Sequence, residues 1–162
     1  MIASLNLLSE LQPGLDGLGQ LRAMLVIGRQ PSIHKLLNIA LISAESGFVT
    51  VVASPGEEHL NPAGTVHGGY IATVLDTACG CAGHSALPAY TAYTTLELKI
   101  SYHRPVTAQS GKIRAEGRLL SIGKRAAFTE AKLTDAAGKL LASATSTLIL
   151  TSLAAAPAAK ES

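Results

Sequence analysis

Gly68-Gly69-Tyr70-Ile71-Ala72-Thr73-Val74-Leu75-Asp76-Thr77-Ala78-Cys79-Gly80-Cys81-Ala82-Gly83-His84-Ser85 is the stretch that decides the fold. Tyr70, Ile71, Ala72, Val74, Leu75, Ala78, Cys79, Cys81 and Ala82 cover every face of a helix at 3.6 residues per turn. A helix that is apolar all round is a buried helix. Leu87-Pro88 ends it. Its one charged side chain is Asp76, the only group charged at neutral pH between Glu58 and Glu97. A buried carboxylate without partners is costly, so Asp76 is paired, protonated or functional. A satisfied core Asp and a catalytic one both fit this observation by itself.

The texture on either side of this helix is different. Upstream, residues 39–45, a Ser46-Gly47 turn and residues 48–53 read as a β-hairpin. Residues 54–63 are loop, with Pro55, Gly56 and Asn61-Pro62. Downstream, residues 93–102 alternate, with Leu96, Leu98, Ile100 and Tyr102 opposed to Thr95, Glu97, Lys99 and Ser101. Further strands are expected over 112–122, 126–134 and 140–150, with turns at Gly123-Lys124-Arg125 and around Gly138. One buried helix enclosed by a mostly antiparallel sheet follows, an α+β fold.

Before the hairpin, Leu15, Leu18, Leu21 or Arg22, and Leu25 recur at helical spacing with Gly28 placed as a C-terminal cap, while Gly17 and Gly19 weaken that helix. Pro31-Ser32 opens a second short helix ending near Leu37. The expected organisation is a helical extension over 1–37, a main domain over 38–152 and a loose Ala-rich tail over 153–162.

Composition narrows the function. The chain of 162 residues fits one domain, and 48% hydrophobic against 15% charged residues gives a real core. A net charge of +2 without basic clusters, few aromatics and no Trp argue against a nucleic-acid partner. The longest apolar run carries Asp76 and is too short to span a bilayer, and the start lacks a basic signal-peptide region. A cytoplasmic protein without a membrane partner is expected. Cys79 and Cys81 point about 200° apart around the axis, so they read as core thiols rather than a disulfide. His59, His67 and His84 match no ligand spacing, so no metal is expected. His59 reads as loop surface, and His84 and His103 have no assigned role.

The helix entrance shifts the balance for Asp76. Thr65-Val66-His67-Gly68-Gly69 puts two glycines where free N–H groups at a helix N-terminus can hold a developing oxyanion. Gly68 and Asp76 are eight residues apart, roughly 12 Å along the axis. If both act on one acyl group, they come from different subunits. The expectation is a composite site in a two-fold dimer with two antiparallel helices side by side.

The run Asn61-Pro62-Ala63-Gly64-Thr65-Val66-His67-Gly68-Gly69 followed by Asp76 resembles the signature of hotdog-fold thioesterases of the phenylacetate-degradation (PaaI) type. Tyr93-Thr94-Thr95-Leu96-Glu97-Leu98-Lys99, Arg104-Pro105-Val106 and Leu133-Thr134-Asp135-Ala136-Ala137-Gly138-Lys139-Leu140 are also similar. The resemblance covers roughly residues 36–150. It implies an acyl-CoA thioesterase with Asp76 as nucleophile or water-activating base, and the Gly68 N–H on the thioester carbonyl. It implies orienting roles for Asn61 and His67, and Thr95 as a hydroxyl beside Asp76 from the same subunit. Simple alternation places Thr95 with Glu97 and Lys99 instead. A related clade has Glu in place of this Asp and a hydroxyl residue one turn later, where this chain has Gly80.

A thioester is activated, so a carboxylate with oxyanion stabilisation suffices without a serine triad, and no Gly-x-Ser-x-Gly elbow is present. Acyl-CoA or aryl-CoA is the expected substrate, coenzyme A being part of it rather than a cofactor. Arg104, Lys124 and Arg125 are candidates for its phosphates. Tyr70, Ile71, Val74 and Leu75 either line the acyl pocket or are plain core. A homotetramer is what the family suggests. The alternative is a non-catalytic acyl-CoA binding or sensing protein on the same fold. A hotdog dehydratase would need a catalytic His motif that is not seen.

Overall fold

The computed structural model describes residues 7–153, and the expected tail beyond Leu153 lies outside them. The decisive stretch forms α3, Gly68–His84. His67 caps its start, its Nδ1 accepting from the Gly69 N–H at 2.9 Å. Ser85 ends it: its Oγ donates to the Ala82 carbonyl at 2.7 Å and accepts from the Gly47 N–H at 2.8 Å. That second bond ties the helix end to the turn of the preceding hairpin.

The hairpin is β1, Ile39–Glu45, and β2, Phe48–Ala53, as expected. After α3 come β3 (Thr91–Tyr102), β4 (Ile113–Ile122), β5 (Ala126–Thr134) and β6 (Leu140–Ser152). All pair antiparallel in one six-stranded sheet of order β1-β2-β4-β5-β6-β3. β3 thus lies at the far edge, with β6 as its one partner among the described residues.

Helix and sheet meet over Val74, Leu75, Ala78 and Cys79 on one side and Val49, Val51, Ile113, Ala115 and Leu133 on the other. All are fully buried, and each large side chain contributes about 1.5–3 kcal/mol by leaving water. Gly117 of β4 sits under the Ala78 carbonyl, where any Cβ would collide with it. Its bare backbone sets how closely α3 lies on the sheet. This is the expected hotdog arrangement of one long helix on an antiparallel sheet.

The helix is not covered all round within one chain. Ala72, Thr73, Asp76 and Thr77 form a face that is only partly buried. Tyr70, Ile71, Val74 and Leu75, by contrast, are buried core.

The N-terminal helices are α1, Gly17–Ile27, and α2, Ser32–Leu36. Asp16 caps α1 through Gly19, and Gly28 closes it in the left-handed conformation at φ 66°. Gly17, which weakens the helix by propensity, is there for packing. Its N–H donates to the Leu87 carbonyl at 2.9 Å, and a Cβ would collide with the His84 carbonyl. α1 is therefore docked on the C-terminal end of α3. No helix among the described residues is long and apolar enough to cross a membrane.

Candidate active site

Asp76 lies on the partly covered face of α3, and the Thr95 hydroxyl donates to its Oδ1 at 3.0 Å. Alternation alone puts Thr95 on the opposite face, and a β-bulge corrects that reading. Thr95 pairs with Leu148 and Glu97 with Thr147, so Leu96 is the extra residue. Leu96 is thrown outward and is 67% exposed. The alternation changes phase there. Tyr93 and Thr95 face the helix before the bulge, and Leu98 and Ile100 after it.

The two elements run past each other in register. Four helical residues rise about 6 Å and two strand residues about 6.7 Å. Asp76 meets Thr95, and one turn later Gly80 meets Tyr93. A Cβ at Gly80 would stand 2.5 Å from the Tyr93 hydroxyl oxygen, so the ring fills the place of the missing side chain. A turn further, the His84 ring lies 5.7 Å from that of Tyr93, tilted by 53°.

A cavity of about 270 Å³ opens onto this stripe. Asp76, Thr77 and Cys81 line it from α3, Leu21 and Met24 from α1, and His34 from α2. His34 is buried and held in one orientation. Gln30 pairs with the Leu41 backbone through both ends of its amide, which leaves its Oε1 as the acceptor for His34 Nδ1 at 3.3 Å. His34 Nε2 then faces the Thr77 hydroxyl at 3.4 Å. Burial lowers the proton affinity of His34 and His84. Burial pushes the Cys79 thiol up to about 11. Burial, with the Asp76 carboxylate adding to it, pushes Cys81 up to about 12. Both thiols stay protonated, and neither is in a disulfide. Cys79 is core as expected, whereas Cys81 faces the cavity.

The start of α3 is built from backbone. Asn61 holds the approach loop: its Oδ1 accepts from the N–H groups of Ala63 at 2.9 Å and Thr65 at 3.2 Å, and its Nδ2 donates to the Thr65 hydroxyl at 2.9 Å. The Tyr70 and Ile71 N–H groups bond the His67 carbonyl, and the Gly69 N–H bonds the His67 ring. The Gly68 N–H is left without a partner among the described residues. Since His67 Nδ1 accepts, the proton of its neutral ring sits on Nε2, and the side chain is exposed. His59 is not loop surface. It is buried, accepts from the Gly56 N–H through Nδ1 at 2.9 Å, and its ring packs 4.4 Å from the Tyr70 ring, tilted by 46°.

A second cavity, about 330 Å³, lies beside Gly68 between Thr65, Ile71, Tyr102 and Arg104. The Tyr102 hydroxyl donates to the Gly68 carbonyl at 2.9 Å. The Arg104 guanidinium donates to the Leu140 carbonyl at 2.7 Å and is otherwise exposed. Lys124 and Arg125 are elsewhere, exposed in the β4–β5 turn. Ala126 pairs with Ile149, which pairs with Thr94, so this turn lies toward the Asp76 end of the sheet.

The structure therefore joins Asp76 with Thr95, and Gly68 with Arg104, while Asn61 and His67 build the loop and cap that lead into Gly68. It does not join the two groups, which stand about 12 Å apart along one helix. No cluster of metal-ligating side chains occurs among the described residues. Residue reading missed His34, Tyr93 and α1 as walls of the Asp76 cavity. The bare Gly80, already noted as a departure from the related clade, is the one signal that pointed there.

Comparisons with known proteins identify the family and its fold. The family described as Thioesterase superfamily matches residues 63–142. Human acyl-coenzyme A thioesterase 13 is 37% identical over 110 residues, 64% of this chain and 74% of that protein. The phenylacetic acid degradation-related protein of Ralstonia eutropha JMP134 superposes with a TM-score of 0.71 at 26% identity, covering 78% of this chain and 97% of that one. A Streptococcus mutans UA159 protein solved with acetyl CoA bound superposes at 0.65 with 27% identity, covering 72% and 90%. This chain belongs to the thioesterase superfamily, with its hotdog fold and its thioester-hydrolase activity.

Proposed function

We propose that the protein hydrolyses acyl-CoA thioesters at a site shared between two subunits, Asp76 and Thr95 from one and Gly68, His67 and Asn61 from the other. The observation that carries this reading is the free Gly68 N–H set about 12 Å from a carboxylate on the same helix. An Asp side chain cannot span that distance to one carbonyl carbon. Two antiparallel copies of α3 bring each Asp76 opposite the other chain's Gly68, and two-fold symmetry makes two such sites. The partly covered face Ala72-Thr73-Asp76-Thr77 and the open edge of β3 support a second copy lying there.

The chemistry follows from the groups. Thr95 donates to Oδ1, which fixes the carboxylate and leaves Oδ2 for the reaction. As a base, Asp76 takes a proton from water while the oxygen bonds to the thioester carbon. The carbonyl oxygen gains the negative charge beside the Gly68 N–H. Collapse of this intermediate breaks the C–S bond, and the proton on Asp76 passes to the leaving thiolate. Acting as a nucleophile, the Asp76 carboxylate would bond to the thioester carbon and expel the coenzyme A thiolate as the C–S bond breaks; water then opens the resulting anhydride, releasing the free acid and restoring the carboxylate, and the proton freed goes to the thiolate. Asn61 acts through the loop that sets His67 and Gly68. His67, with its Nε2 proton outward, orients the thioester. Exposed Arg104 stands by Gly68, and Lys124 and Arg125 lie toward the Asp76 end, so both groups border the composite site and serve the coenzyme A phosphates. We place the protein in the cytoplasm, as a pair of such dimers.

The test is a panel of short, medium, long and aryl acyl-CoA substrates run on wild type and Asp76→Asn. Turnover by the wild type that is lost in the variant supports the reading. No turnover of any of them, or turnover that survives Asp76→Asn, rejects it.

A further inference from the structure

The Asp76 cavity has a neighbour. A second space of about 370 Å³ lies past Tyr93, walled by Leu11, Leu15, Tyr90 and Leu153. The two spaces share Leu8, His84 and Tyr93 in their walls. Tyr93 and His84 therefore stand between a chamber that holds the carboxylate and an apolar chamber beyond it.

Tyr93 keeps this position through shape. Its hydroxyl makes no hydrogen bond among the described residues. Its ring sits in the gap left by Gly80, on the stripe that carries Asp76 one turn earlier. His84 backs it and is itself fixed from α1. Gln20 Nε2 donates to the Leu15 carbonyl at 3.1 Å, which turns Gln20 Oε1 toward His84 Nε2 at 2.9 Å. A substitution by any larger residue at position 80 displaces the ring.

We propose that Tyr93, seated on Gly80 and backed by His84, is the end wall of the acyl pocket and sets the length of the acyl group. This rests on the reading that Asp76 is where the thioester carbon is held. The inner chamber of about 270 Å³ takes about nine heavy atoms at the ~30 Å³ that a water occupies in the liquid. A 150 Å³ apolar cavity already accepts benzene, so the chamber admits an aryl group or a medium straight chain. Longer chains meet the Tyr93 ring before they reach the outer chamber. Each further methylene that the outer chamber buried would be worth roughly fourfold in affinity. The wall is thus a specificity device: Tyr93 touches the distal end of the acyl group and takes no part in bond breaking.

The experiment measures kcat/KM for saturated acyl-CoA substrates of about four to sixteen carbons on wild type, Tyr93→Ala, Tyr93→Leu, Tyr93→Phe and Gly80→Ala. Calorimetry with the matching S-alkyl-CoA thioethers, which cannot be hydrolysed, runs beside it, and thermal melts confirm that each variant is folded. In wild type both readouts fall beyond about ten carbons. Tyr93→Ala raises the long-to-medium ratio by about tenfold or more, Tyr93→Leu by less, and Tyr93→Phe keeps the wild-type length profile. Gly80→Ala pushes the ring into the inner chamber and moves the optimum to shorter chains. An unchanged length profile in the folded variants, with hydrolysis intact, overturns the wall alone. No hydrolysis by wild type, with thioether binding that still lengthens in Tyr93→Ala, overturns the catalytic reading and leaves the wall standing.

Discussion

The start and the middle of α3 solve the same problem in opposite ways. At Gly68 the working group is a backbone N–H, and side chains serve only to hold it: Asn61 folds the loop, and His67 caps the next amide. At Asp76 the working group is a side chain, and the backbone's part is to get out of its way. Gly80 is bare so that Tyr93 fits, and Leu96 bulges so that Thr95 turns inward. The amide of the first is set by nine consecutive residues, with Tyr102 and Arg104 beside it, whereas the second is built from α1, α2, α3 and β3. An amide needs only the right local turn, whereas a carboxylate in apolar surroundings needs partners brought from afar.

Substitutions that strike one region and spare the other probe this contrast. The largest effect is expected from Asp76→Asn, which keeps the shape and removes the base. kcat/KM should fall by about 10³-fold, within the range for a positioned proton acceptor. Gly68→Pro comes next. Pro is accommodated at the first helical position, and the extended His67 before it, at ψ 137°, suits a following Pro. The change deletes the free N–H, and kcat should fall by about 10²-fold while the melting temperature stays near wild type. A loss confined to KM would mean that the Gly68 amide only binds substrate. Thr95→Val removes the hydrogen bond to the carboxylate, worth about 1.5–3 kcal/mol. We expect at least about a tenfold loss of kcat, with most of it restored by Thr95→Ser, which brings back the hydroxyl.

The smallest effect is on stability. Burial holds His34 and His84 below the ordinary value of 6.5. Between that value and their folded ones, the unfolded chain binds more protons than the folded one. Stability therefore rises with pH up to about 6.5 and is level above it as far as these groups are concerned. Denaturant titrations from pH 5 to 8 should show this slope in wild type. His34→Gln combined with His84→Gln should flatten it. A slope that persists in the double variant would assign the effect to other groups.

The same contrast explains what could be read from residues alone. The hairpin, α3, the C-terminal cap of α1 and the succession of strands along the chain are all written in local periodicity and turn residues; the order in which they pair is not. So is the Gly68 end, because its parts are neighbours in sequence. Thr95 defeats alternation because a single extra residue reverses every face after it, and no residue type announces the bulge at Leu96. His59 looks like loop surface because its burial comes from Tyr70, eleven positions away. His34 and Tyr93 give no local sign of sharing a cavity. They meet there only because Gly17 lets α1 dock on the end of α3. Of the four residues that fit either pocket or core, Val74 and Leu75 are fully buried core, and Tyr70 and Ile71 belong to the core while Ile71 also borders the cavity beside Gly68.

The claim that Gly68 at the start of α3 and Asp76 at its middle work together only across a pair of chains has a direct measurement. Asp76→Asn and Gly68→Pro are each purified, mixed in equal amounts under conditions that exchange subunits, and assayed for acyl-CoA hydrolysis. In a mixed dimer one site carries both lesions and the other carries neither. Random exchange makes half the dimers mixed, so activity should return to about a quarter of wild type. If Asp76 and Gly68 of one chain served the same substrate, every site would keep one lesion, and the mixture would stay as inactive as its parts.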